Sequence, residues 1–339
     1  MTPEAPRVAL VKLSAIGDVV HALPVATALR ARHAGARLTW IVERREAAVL
    51  RGHPAHDEVV EVDTRGWRRA RGPTAARAAV AEKRALRARL RAGRFDVAVD
   101  LQGLLKSGVI TGATGAPLRL GFATRRLREP VSALFTNRRV MPPPRARHVV
   151  EQYLALLEPL GVTDPKVEFA LPWSAGAEAR VDALFAAADL RPRQRVVVLN
   201  PGAGRPRKRW PAERFAELAA RLAREAYARV LVVWGPGERD VAAAIAGEGR
   251  ARRVTLAPPT DLDELIAVLR RASVVVAADT GPLHLAAALG TPCVGLYGPT
   301  AVARNGPYGA GHRSLQGGDG TVAGISVAAA LTAVQEVLT

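Results

Sequence analysis

The sequence predicts an α/β protein built from two doubly wound units, and three observations lead there. Short apolar runs alternate with longer helical patterns along the whole chain. The runs are rich in Val, Leu and Ile and hardly alternate, as expected of parallel strands covered on both faces. The length, 339 residues, exceeds one ordinary core and suits about two domains.

In the first half, strands are expected at 8–13, 38–42 and 97–101, where the apolar runs are shortest and least interrupted. Helical periodicity covers 19–33, 75–92 and 148–160 between and after them. The second half repeats the alternation, with strands at 196–199, 230–234, 274–277 and 293–297 and helices at 212–226, 239–247 and 262–272. Between the halves, "GVTDPKVEFALPWSAG" carries two prolines and ends the helical pattern. The expected domains are therefore 1–162 and 177–325, joined by a linker at 163–176. An amphipathic helix at 326–339 can pack back on the first domain.

The chain carries 49 Lys and Arg against 31 Asp and Glu, a net charge of +18, which favours acidic ligands. A single cysteine, Cys293, excludes internal disulfides and the Cys-rich metal motifs. No apolar stretch reaches the roughly 18 residues of a membrane span. The N-terminus "MTPEAPRVALVKL" lacks the basic start and apolar run of a signal peptide, so a cytoplasmic protein is expected. The stretch "RGWRRARG", with Arg65, Trp67 and Arg68, leads into an Arg-rich helix. It reads either as a solvated face covered by aliphatic stems or as a basic rim for an anionic partner.

Several segments follow strand ends, where ligands bind in open parallel sheets. "KLSAIGDVVHALP" places Asp18 at a strand-to-helix turn, as a plain N-cap or as an exposed carboxylate base. "DLQGLLKSG" supplies Gln102 and Lys106, and "REPVSALF" begins at Arg128. With Lys12, these line the ends of first-domain strands. "NPGAGRPRKRW" combines glycines with Lys208 and neighbouring arginines ahead of a helix, a pattern suited to a diphosphate. It is not a P-loop, and the first strand-to-helix turn lacks a G-x-G-x-x-G fingerprint. "VVWGPGERD" ends on Glu238, either an acid for ribose hydroxyls or an ordinary helix-start acid. "AADTGPLHL" offers Asp279 as helix cap or ligand to a hydroxyl, the amides of Thr280 and Gly281 for an anion, and His284 on an exposed helix start. Asp261-x-Asp263 could hold a metal ion but reads as helix-start acids, so no metal site is expected.

"KLSAIGDVVHALP", "DLQGLLKSG", "REPVSALF", "RKRWPAERF" and "ADTGPLHLAAALGTPCVGLYGPT" together resemble the bacterial lipopolysaccharide heptosyltransferases, glycosyltransferase family 9. The likeness spans nearly the whole chain in order, and "QGLLKS" with "REP" tilts it towards type I. The resemblance implies a GT-B glycosyltransferase fold, two Rossmann-like doubly wound domains facing across a cleft. It implies inverting transfer of heptose from an ADP-heptose donor to the Kdo region of lipid A, with no cofactor or metal required. By the same resemblance Asp18 matches the catalytic base, and Lys208, Glu238, Asp279, Thr280, Gly281 and His284 match the donor site. Lys106 and Arg128 match residues that meet the anionic glycolipid acceptor, a set to which position and charge add Lys12, Arg65, Arg68 and Gln102. "NPGAGRPRKRW" departs from the family's Thr-rich loop and leaves the donor sugar and base open. Peripheral contact with the inner-membrane surface is expected, and nucleic acid is not, for want of a recognition-helix or aromatic nucleic-acid pattern. A family-9 transferase using another nucleotide sugar, a nucleotide-sugar epimerase of the same fold, and a basic nucleic-acid-binding protein are the alternatives.

Overall fold

The apolar runs of the first half become the inner strands of a parallel sheet in the computed structural model, which describes residues 5–191, 194–226, 228–247 and 253–338. In chain order the first unit carries β1 (Arg7–Val11), α1 (Ile16–Arg32), β2 (Arg37–Glu43), β3 (Glu58–Val62), α2 (Thr64–Arg69), α3 (Gly72–Ala92), β4 (Val97–Asp100), α4 (Leu105–Thr114), β5 (Leu118–Phe122), β6 (Arg138–Val140) and α5 (Val149–Ala155). The sheet order is β3-β2-β1-β4-β5-β6, parallel throughout. Val8 pairs with Leu38 on one side and Val97 on the other. The order reverses between β1 and β4, which opens a crevice at their carboxyl ends. α1 packs with α5, and α3 with α4.

The second unit, after the break between Pro172 and Trp173, carries α6 (Ala175–Ala187), β7 (Val196–Asn200), α7 (Ala212–Glu225), β8 (Arg229–Val232), α8 (Arg239–Ala246), β9 (Val254–Leu256), α9 (Leu262–Arg271), β10 (Val274–Ala278), α10 (Gly281–Ala288), β11 (Cys293–Tyr297), α11 (Val302–Asn305), β12 (Arg313–Gln316) and α12 (Val327–Leu338). Its order, β12-β11-β10-β7-β8-β9, is the same permutation numbered within the unit, with the reversal between β7 and β10. α7 buries Phe215, Leu218, Ala219 and Leu222, the i, i+3, i+4, i+7 stripe of a core-facing helix. Burying each large member of that stripe contributes about 1.5–3 kcal/mol.

Three expectations change. The terminal helix belongs to the second unit: Val327, Ala330, Leu331 and Val334 of α12 enter that unit's core beside α7 and β11. That face is apolar, so burial against the sheet decides its place. The expected linker is shorter than 163–176, because Ser174 accepts the Ala177 N–H at 3.3 Å and starts α6. The helix expected at 148–160 stops at Ala155 and gives way to a 3₁₀ turn, Glu158–Leu160, since Pro159 cannot donate an α-helical hydrogen bond. Among the described residues no helix is long and apolar enough to cross a membrane.

Candidate active site

In the first unit the chemistry gathers where β1 and β4 end. α1 begins at Ile16 with Ala15 as its N-cap, so Asp18 is the third helical residue rather than the cap. Its Oδ2 accepts the Ala15 N–H at 3.2 Å, and its Oδ1 lies 3.9 Å from Lys12 Nζ. The side chain keeps a large exposed fraction, so a reacting hydroxyl can approach it.

Lys12 does not line the surface as expected. It is the residue after β1, it is buried, and its ammonium donates to Tyr153 Oη at 2.6 Å and to the Leu101 carbonyl at 3.5 Å. Burial pushes the ammonium down, but Tyr153, Asp18 and Asp100 outweigh that and hold it above the ordinary lysine value. Lys12 is therefore a buried, fixed cation beside Asp18.

The loop after β4 is shaped by Asp100, which no motif had marked. Its Oδ1 accepts the N–H groups of Gln102 at 2.9 Å and Gly103 at 3.0 Å, and its Oδ2 accepts the Ser107 hydroxyl at 3.1 Å. Burial pushes this carboxyl up against the hydrogen bonds that favour its charged form. Gly103 sits at φ +68°, where a side chain would strain the turn. Gln102 then turns its Oε1 to the backbone, accepting Leu13 N–H at 2.7 Å and Ser14 N–H at 3.2 Å. The carbonyl end of Gln102 thus holds the segment ahead of Asp18.

Lys106, in the first turn of α4, reaches Ser14 Oγ at 3.3 Å and lies 3.6 Å from Glu43 Oε1. Glu43 is buried at the end of β2 and also accepts the Thr64 N–H at 3.2 Å. Arg65 spends its charge on buried Glu46 at 2.7 Å. Arg68 and Arg128 are exposed. Trp67 is tied down, donating from Nε1 to Glu82 at 2.7 Å, and α3 buries only Ala79 and Leu90, which makes its arginine-rich remainder a solvated face.

In the second unit the ends of β7 and β10 supply the matching set. Asp279 follows β10, and Thr280, not Asp279, is the N-cap of α10. The Asp279 carboxylate is instead clamped by side chains: Oδ2 accepts from Lys208 and Oδ1 meets His284 Nε2 at 3.0 Å. Burial pushes this carboxyl up, yet His284 and Lys208 together hold it well below the usual carboxylate range. His284 is buried, one turn inside α10, so the expected exposed position is corrected: the ring is covered by the helix and braces Asp279. The Thr280 hydroxyl donates to the Ala278 carbonyl at 3.0 Å. The helix-start amides of Gly281 and Leu283 remain directed out of α10, with Pro282 between them lacking an N–H.

Lys208 ends a 3₁₀ turn, Pro206–Lys208, in the loop after β7. An ammonium has three donors, so its bond to Asp279 leaves capacity for an anion. Glu238 starts α8 and accepts the Gly235 N–H at 2.9 Å. Its carboxylate lies over Gly202, where a Cβ would stand 2.0 Å from Oε2. The glycine thus leaves room for that carboxylate at the β7 loop. Asp261 is the N-cap of α9, accepting Glu264 N–H at 2.8 Å while Glu264 reaches back to Asp261 N–H at 2.8 Å. Among the described residues no group of three His, Cys, Asp or Glu could hold a metal ion.

Sequence reasoning missed Tyr153, Asp100 and Glu43. Asp100 had a local signal, an acid three residues before a glycine at a strand end, the pattern of an Asx turn. Tyr153 had none, since its partner Lys12 is 141 residues away.

The family model for glycosyltransferase family 9 (heptosyltransferase) matches residues 83–319. Lipopolysaccharide heptosyltransferase 1 of Escherichia coli K12 is 31% identical over 303 residues, 89% of this chain and 91% of that protein. Its counterpart in Pseudomonas aeruginosa is 33% identical over 304 residues, 89% of this chain and 81% of that protein. The structure of E. coli heptosyltransferase WaaC with ADP superposes with a TM-score of 0.81 at 30% identity, covering 98% of this chain and 99% of that one. The same enzyme with ADP-2-deoxy-2-fluoro heptose gives 0.79 at 29% identity, covering 97% and 99%. Two six-stranded parallel sheets, each with its crevice residues in place, and these matches together establish that the chain belongs to glycosyltransferase family 9, the heptosyltransferases, and is a glycosyltransferase of GT-B fold.

Proposed function

We propose that this enzyme transfers heptose from ADP-heptose to the Kdo region of lipid A in lipopolysaccharide inner-core synthesis. The observation that carries the reading is the open Asp18 carboxylate set over the buried Lys12 cation at the first unit's crevice. A sugar hydroxyl is a weak nucleophile, and a fixed, accessible carboxylate can take its proton as attack begins. The acceptor oxygen bonds to the anomeric carbon as the bond from that carbon to the diphosphate oxygen breaks, with inversion. The proton passes to Asp18 and ADP departs with the bonding pair.

Lys208 and the α10 amides meet the charge that grows on the leaving diphosphate. That is the task a metal performs elsewhere, and the reaction as proposed requires none. Asp279 and His284 orient Lys208, and Glu238 accepts the ribose hydroxyls. Lys106, Arg68 and Arg128 meet the carboxylates and phosphates of the acceptor, with Arg65 at their margin. ADP-heptose as donor is supported by the WaaC complexes, and lipopolysaccharide as acceptor by the names of the relatives. A lipid-anchored acceptor also places the enzyme against the cytoplasmic face of the inner membrane by peripheral contact.

Incubation with ADP-heptose and Kdo-lipid A, followed by mass spectrometry, tests the reading: one heptose is added and ADP is released. Conversion of a nucleotide sugar without any acceptor would favour the epimerase alternative and overturn it.

A further inference from the structure

Glu43, the last residue of β2, is a buried acid. A carboxylate taken out of water must be met by donors or by a cation. Two residues meet this one. Its Oε2 accepts the Thr64 N–H at 3.2 Å, its Oε1 accepts the Thr64 hydroxyl, and Lys106 Nζ lies 3.6 Å from Oε1. Thr64 opens α2 and Lys106 stands in the first turn of α4, so one buried acid ties together two segments far apart in sequence.

The acid is firmly mounted. Glu43 N–H donates to the Leu13 carbonyl at 3.0 Å, and the Leu13 N–H is itself held by Gln102 Oε1 at 2.7 Å. The carboxylate is thereby anchored to the stretch of backbone that leads to Asp18. Lys106 donates to Ser14 Oγ at 3.3 Å, on that same stretch. An ammonium has three donors, more than Ser14 and Glu43 engage. The Lys106 side chain is 34% exposed against 2% for Glu43, so part of the lysine stays open to solvent.

The two duties of Glu43 can be separated. Glu46, also buried, accepts from Arg65 at 2.7 Å and gives the start of α2 a second anchor. Lys106 has no second carboxylate partner among the described residues. Removing the charge of Glu43 therefore leaves α2 tied down and releases the lysine. We infer that Glu43 is a positioning residue for acceptor recognition: it acts through Lys106, whose ammonium it holds beside Ser14 ahead of Asp18. The lysine then meets an acceptor carboxylate or phosphate with its head already placed, and less freedom is lost on binding. That use of Lys106 rests on the function proposed above; the hold on the lysine is tested without any acceptor.

Two readouts on the full chain test this. Brief acetylation with acetic anhydride, followed by peptide mass spectrometry with the exposed Lys166 as reference, reports the hold directly. Lys106 reacts about threefold faster in Glu43→Gln than in the parent, and at the parent rate in Glu46→Gln. Equal labelling of Lys106 in parent and Glu43→Gln overturns the proposal. Equal acceleration in Glu46→Gln also overturns it, because loosening of α2 would then be the cause. In heptose transfer, Glu43→Gln raises the KM for Kdo-lipid A about tenfold and leaves the KM for ADP-heptose unchanged. Glu43→Asp keeps the charge one methylene back and recovers part of the difference. In a Lys106→Met background Glu43→Gln changes the acceptor KM no further, since its action runs through the lysine. Additive effects in that cycle, or faster labelling with an unchanged acceptor KM, overturn the role in recognition. Should Glu43→Gln fail to fold, Glu43→Asp carries both readouts in the same directions. If the parent transfers no heptose, the proposed function falls, and the labelling alone decides whether Glu43 holds Lys106.

Discussion

The two units share one strand permutation, and each has its own crevice at the equivalent strand ends, yet each reverses the other's arrangement of an acid and a lysine. In the first, the lysine is hidden and the acid is open: the Lys12 side chain is 4% exposed and that of Asp18 40%. In the second, the acid is hidden and the lysine is more open: Asp279 is 9% exposed and Lys208 23%. The buried partner of each pair has several fixed contacts and the outer partner has few. One fold therefore presents an open carboxylate at one crevice and a more open ammonium at the other, according to which charge the interior holds. The general lesson is that burial divides the pair: the inner group is fixed by its contacts and the outer group is left accessible, the division on which the proposed roles rest.

The largest effect that can break this comparison is at Asp18. Asp18→Asn lowers kcat by about 10²–10⁴-fold, with ADP affinity by calorimetry unchanged. Loss of ADP binding in that variant would mean the first crevice serves the donor, and the comparison would fail. Lys208→Ala weakens ADP binding by about 10–100-fold, the range for losing a charged hydrogen bond, and unchanged affinity would strip Lys208 of its outward role.

Asp279 sharpens the comparison through pH. Its folded value is depressed below the ordinary 3.8, so its stabilising contribution is complete above that pH and is lost as pH falls below it towards the folded value. Asp279→Asn should thus cost about 2 kcal/mol in denaturant unfolding at neutral pH, a deficit that shrinks in acid below pH 3.8. A deficit that does not change with pH would show that the clamp is held by packing and not by charge. The smallest effect belongs to Lys12, for which burial beside Asp18 predicts an action through that carboxylate. Lys12→Met lowers kcat about tenfold and leaves the KM for ADP-heptose unchanged, with Lys12→Arg restoring part of the rate. A change in KM alone would place Lys12 among the ligands after all.

The expected strands at 8–13, 38–42, 97–101, 196–199, 230–234, 274–277 and 293–297 coincide with β1, β2, β4, β7, β8, β10 and β11, all inside their sheets. Such strands are covered on both faces and must be apolar at every position. Of the strands that were not legible, β3, β6, β9 and β12 are the sheet edges, and β5, inside its sheet, is the short run "LRLGF" interrupted by an arginine and a glycine. At the edges "EVVEV", "RRV" and "RSLQ" keep contact with water and lose the apolar signature. α4 was also not legible, because its glycines are poor helix formers until Phe135 packs on them.

Sequence by itself determined the α/β class, the inner strands and the crevice positions of Asp18, Lys106, Lys208 and Asp279, because each follows a strand whose apolar run is complete within a few residues. Tertiary structure alone decided that Lys12 lies under Asp18, that Gln102 serves the backbone, that His284 is covered and braces Asp279, and that α12 joins the second unit. Each of those depends on which group loses water when distant segments meet, and desolvation is a property of the packed chain that no local spacing encodes.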